Sequence, residues 1–137
     1  MKILVCTDGM KHADKAVEVA AQYAQISGSE LTIMNVIESD VSHEKPAFDE
    51  YGDKQTMAHS IIDKANEIAS RFALEVKVST KIAAGPVSAE IVRIAEDEGF
   101  MAVFVGATGS GRIKKMLLGS VSDDVIQYAH CPVTVVR

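Results

Sequence analysis

MAVFVGATGSGRIKKMLLGS, from Met101 to Ser120, sets a short apolar run ahead of a glycine-rich segment. Gly106 and Gly109 stand three apart, and nine residues then separate Gly109 from Gly119-Ser120. A strand, a loop and a helix start in this order suit an anion. Glycine lets the backbone approach closely, and the helix start offers unsatisfied N–H groups with a partial positive charge. The stretch therefore predicts a phosphate-binding loop. It is not a Walker loop: Gly106 and Gly111 have the right gap, but Arg112-Ile113 follow where Lys and Ser or Thr are required. The dinucleotide fingerprint is also absent, because Lys114 stands where a third glycine should follow Gly109-Ser-Gly111.

Outward from this stretch the chain alternates between two periods. Residues 2–6, KILVC, form an apolar run suited to a strand buried on both faces, ended by Thr7-Asp8-Gly9. From about Lys11 to Ser27, Ala13, Ala16, Val17, Ala20 and Ala24 fall at helical spacing, with Val19, Tyr23 and Ile26 widening the stripe, and Gly28 stops it. Leu31 to Ile37 reads as a second strand. Residues 38–52 carry Pro46 and Gly52 without a period and read as a surface loop. A helix is expected from about Asp53 to Ala73, with Met57, Ile61, Ile62, Ala65, Ile68, Ala69 and Phe72 inward. Glu75 to Ala83 alternates, with Val76, Val78, Thr80 and Ile82 on one face, which fits a strand near a sheet edge. Gly85-Pro86 opens the next helix. After the strand 101–105 and the glycine loop come a helix over about 120–129 and a last strand, 132–136. Strands alternating with helices in one unit, residues 1–137, imply a single-domain α/β fold with a parallel sheet covered by helices. Ligands of such sheets bind beyond the carboxyl ends of the strands, where strand order reverses. Both strand-end signals, Thr7-Asp8-Gly9 and Gly106-x-x-Gly109, are candidates for that point.

Composition narrows the function classes. At 137 residues, 47% hydrophobic and 24% charged, the chain fits one globular domain. A net charge of -5 without a long basic run argues against nucleic acid, although Arg112, Lys114 and Lys115 form a local cation cluster. No apolar run approaches the roughly 18 residues of a membrane span, and no signal-peptide core precedes Thr7, so the expected location is the cytoplasm. Cys6 and Cys131 match no zinc or disulfide pattern and read as small residues in or beside strands. His12, His43, His59 and His130 make no ligand pair, so no protein metal site is expected.

The G-x-x-G-(nine residues)-G-S pattern, followed by VSDDVIQYAHCPVTVVR, resembles the ATP-binding branch of the universal stress protein family. The likeness covers nearly the whole chain, including the strand ending in Thr7-Asp8-Gly9, the Gly85-Pro86 helix start and the closing His130-Cys131-Pro132-Val133. It implies a five-stranded parallel sheet ordered 3-2-1-4-5, a Rossmann-like, adenine-nucleotide α-hydrolase-like architecture. It also implies ATP, AMP or ADP as ligand, with Mg2+ as a companion of the phosphates. By the same resemblance, Cys6, Thr7 and Asp8 lie by the adenine and ribose, and the Val36 backbone holds the adenine edge. Val105 lines the base or sugar. Gly106, Thr108, Gly109, Gly119, Ser120, Val121 and Ser122 carry the phosphates. A homodimer through the C-terminal strand, which ends the chain at a sheet edge, is a further implication.

Residue chemistry agrees with this assignment. Asp8 can accept from ribose hydroxyls or an adenine amino group, whereas a carboxylate at the phosphates would repel them. Asp123 and Asp124 suit the helix dipole and are expected to face solvent. Asp8-Gly9 also reads as a plain turn and helix cap, and Ser120 as an N-cap with Asp123 in a weak capping box. No Ser-His-Asp arrangement or catalytic carboxylate pair is present. The sequence therefore points to binding rather than turnover, with at most slow hydrolysis or autophosphorylation on Thr108, Ser120 or Ser122. The alternatives are a partner-binding module of the same fold without nucleotide, and an adenylylating enzyme.

Overall fold

The computed structural model describes residues 1–39, 48–107 and 118–137, with the backbone alone for 48–51. The elements are β1 (Lys2–Cys6), α1 (Lys11–Ser27), β2 (Glu30–Glu38), α2 (Phe48–Ser70), β3 (Val78–Gly85), α3 (Val87–Asp97), β4 (Ala102–Gly106), α4 (Ser120–Tyr128) and β5 (Val133–Val136). The strands form one parallel sheet in the order β3-β2-β1-β4-β5. This is the α/β architecture and strand order that the sequence implies.

The apolar runs explain the central strands. Along β1, Ile3 and Val5 join a core with α1 and α2, while Leu4 joins a second core with α3 and α4. A strand buried on both faces needs no polar alternation. On α1 the inward stripe is mostly alanine (Ala13, Ala16, Ala20, Ala21, Ala24), so the helix sits close to the sheet. Ile26 does not widen that stripe: it lies about 200° past Ala24 on the helical wheel and is 87% exposed. Met57 on α2 is likewise exposed, and Ala58 takes the inward position instead.

Element boundaries shift by a few residues from the sequence reading, most at α2 and β3. Helix α2 begins at Phe48 and runs through Gly52, which was expected to end a loop. One glycine costs a helix only about 1 kcal/mol, which a helix of this length absorbs. Strand β3 begins at Val78 rather than Glu75 and lies at the sheet edge, as its alternation predicts. Thr80, however, is exposed. It borders an open cleft of about 380 Å³ between α2 and β3, and no described residue covers it.

Candidate functional site

Strand order reverses at β1, which has β2 on one side and β4 on the other. The register Val5↔Phe104 sets Cys6-Thr7-Asp8 and Val105-Gly106-Ala107 side by side where β1 and β4 end. Here the two strand-end signals meet. Gly106 also backs onto the first turn of α1. A Cβ on it would lie 3.0 Å from the His12 carbonyl carbon and oxygen and 3.1 Å from the Ala13 nitrogen. Close approach, not an unusual φ, requires glycine at this position.

The turn after β1 is wired residue by residue. Thr7 N–H donates to the Met34 carbonyl at 2.9 Å, and the Thr7 carbonyl accepts from Asn35 Nδ2 at 2.8 Å. Thr7 Oγ1 accepts from Gly9 N–H at 3.0 Å, and Asp8 Oδ1 accepts from Met10 N–H at 2.9 Å. Gly9 has φ +82°, the left-handed region that favours glycine. Asp8 is exposed, and its second oxygen has no partner among the described residues. It makes an Asx turn rather than capping α1, whose N-cap position is Met10. Lys64 of α2 reaches this turn, donating to the Gly9 carbonyl at 3.2 Å and pairing with Asp14 at 2.7 Å.

On the far side, Gly119 N–H donates to the Ala107 carbonyl, tying the start of α4 to the end of β4. The N-cap of α4 is Gly119, not Ser120, so no side chain among the described residues caps its first-turn amides. Ser120 is exposed. Ser122 is 2% exposed, and its hydroxyl donates to the Ala107 and Gly119 carbonyls, both at 3.0 Å. That proton closes the loop ends. Asp123 is exposed and accepts from Gln127. Asp124, expected in solvent, is half-buried and accepts from Ser88 of α3 at 3.3 Å.

Four of the sequence-predicted side chains, Cys6, Val36, Val105 and Val121, share one apolar cluster on the α3/α4 face. Val36 has the same strand parity as Met34, whose carbonyl faces β1, so the Val36 N–H and carbonyl also point to the β1 side. Burial pushes the Cys6 thiol up from its ordinary value. Both cysteines are free. Thr108 and Gly109 lie outside the described residues, as do Arg112, Lys114 and Lys115. Among the described residues no cluster of three or more His, Cys, Asp or Glu could hold a metal ion. None of their helices is long and apolar enough to cross a membrane.

The sequence reading did not find Asn35 or Lys64. Asn35 carried a signal, since one amide inside the apolar run Leu31–Ile37 needs a buried partner. Lys64 carried none, because its partners lie about 50 residues upstream in the chain.

The universal stress protein family model matches residues 1–137. Universal stress protein YxiE of Bacillus subtilis is 31% identical over 147 residues, covering 99% of this chain and 98% of YxiE. The solved structure of MJ0577, a universal stress protein of Methanocaldococcus jannaschii, superposes with a TM-score of 0.79 at 30% identity, covering 98% of this chain and 94% of that one. A universal stress protein crystallised in complex with cAMP superposes with a TM-score of 0.80 at 26% identity, covering 100% of this chain and 97% of that one. The chain belongs to the universal stress protein family.

Proposed function

We propose that this protein binds an adenine nucleotide in the crevice between the ends of β1 and β4, and serves a stress response through nucleotide-dependent binding. The observation that carries the reading is the meeting of the Asp8 turn, Gly106 and the uncapped start of α4 at the point of strand reversal. A related protein solved with cAMP supports an adenine ligand. The residues present fit such a group. Cys6, Val36, Val105 and Val121 offer apolar walls, Val36 offers main-chain edge groups, and Asp8 offers a carboxylate oxygen for ribose hydroxyls or an adenine amino group. Thr7 holds the turn in place.

The phosphates belong with Gly106, Thr108, Gly109, Gly119, Ser120 and Ser122. First-turn amides without a side-chain cap suit an anion. Ser122 serves by holding the loop ends, its proton being committed to two carbonyls. ATP, ADP and AMP all satisfy this arrangement, and a magnesium ion would travel with the phosphates. The reading also includes a cytoplasmic homodimer paired through β5, whose outer edge is open. Calorimetry with ATP on the wild type and on Asp8→Ala and Gly109→Val tests the ligand and the site together. Both variants are expected to lose affinity; unchanged affinity in both would contradict the reading.

A further inference from the structure

We infer that Lys64 on α2 is a positioning residue for the nucleotide site, acting through the first turn of α1 without touching the ligand. The inference rests on the nucleotide reading above and adds a residue that the glycine motif does not contain. Both halves of the crevice lean on one short piece of chain. The Asp8 turn runs directly into α1 at Met10 and Lys11, and Gly106 packs against the main chain of His12 and Ala13. Whatever fixes this first turn sets the gap between the Asp8 carboxylate and the start of the glycine loop.

Lys64 grips that piece at two points on either side of the helix start. Its ammonium donates to the Gly9 carbonyl at 3.2 Å and meets Asp14 Oδ2 at 2.7 Å. Beside it, Ile61 packs on Gly9 so closely that a Cβ there would lie 3.0 Å from Ile61 Cγ1. One turn of α2 therefore clamps one turn of α1. A single cation bridging a carbonyl and a carboxylate restrains Gly9 and Asp14 together, which two separate surface contacts would not do.

The Lys64 and Asp14 side chains remain 53% and 25% exposed. An ion pair this open contributes little to global stability. Its consequence belongs in the local geometry of the turn, and this separates a positioning role from a structural one. Lys64 also carries a positive charge, so a general attraction for anions is the competing account. That account makes the effect grow with phosphate number and fade with salt.

Calorimetry with adenosine, AMP and ATP on the wild type, Lys64→Met, Lys64→Arg and Asp14→Asn, at low and high salt, decides between them. Lys64→Met is expected to weaken all three ligands by the same factor, roughly three- to tenfold, adenosine as much as ATP. Lys64→Arg should restore affinity, because a guanidinium can reach both oxygens, and Asp14→Asn should show a smaller loss of the same pattern. Melting temperatures should stay close to the wild type, and amide exchange at Gly9 and Met10 should speed up in Lys64→Met without ligand. Unchanged adenosine affinity in Lys64→Met, or a loss that rises with phosphate number and vanishes in salt, would overturn the inference. A wild type that binds none of the three overturns the nucleotide reading and this inference with it.

Discussion

Gly106 shows how much one absent methyl group decides. Its Cβ would meet main-chain atoms of His12 and Ala13 at 3.0–3.1 Å, and backbone cannot swing aside as a side chain can. Gly106→Ala should therefore cost about 1–3 kcal/mol of stability, measured by urea unfolding, and should push α1 away from β4. A variant as stable as the wild type would mean that this contact is looser than described. Cys6 gives a second test at this scale. Burial raises its thiol above the ordinary value of 9.0. The folded state then keeps its proton after the unfolded chain has lost it, so stability falls as pH rises past that value. Unfolding followed from about pH 8 to about pH 10 should show a smaller loss for Cys6→Ala than for the wild type. Gly106 and the Asp8 turn were legible as strand-end features because each residue type has few uses at such a place. The bonding of Ser122 was not, since a hydroxyl can face either a ligand or a carbonyl.

Among elements, the second strand is where pattern and placement part company. Its apolar run announced a strand, and the ladder with β1 bears that out. The run did not announce that the Asn35 side chain would bond the Thr7 carbonyl while its main chain stays in the ladder with β3. A buried amide is costly unless satisfied, so the bond fixes where β1 stops and the Asp8 turn begins. Asn35→Ala leaves that carbonyl without its donor and should destabilise by about 1–3 kcal/mol in the same urea assay, with a fall in nucleotide affinity. Full stability would show that water replaces the amide without penalty. Helix boundaries were less legible for a physical reason. Gly52 is a weak breaker inside a long helix, and packing of Ala58, Ile62 and Ala65 outweighs its propensity.

At the scale of the molecule, the alternation of periods was enough to announce a parallel α/β sheet. Strand order was not in the periodicity; it came from family resemblance, and the sheet has that order. The order leaves β3 and β5 as the two edges. On β5, Pro132 and Val136 face β4 through their carbonyls, so Val133 and Val135 turn their main-chain groups outward. Val135→Pro removes an outward N–H while leaving the β4 ladder intact. If β5 pairs two copies, this variant should elute as a folded monomer from a sizing column while the wild type elutes as a dimer. Identical elution of the two proteins would place any dimer contact elsewhere.

The crevice between the ends of β1 and β4 is the proposed place of an adenine nucleotide. Amide shift mapping by NMR during an ATP titration tests both the binding and its place. Saturable shifts are predicted at Thr7, Asp8, Val36, Gly106 and Gly119 through Ser122, with little change along the outer end of β3. Shifts confined to the cleft between α2 and β3, or none at saturating ATP, would contradict the account.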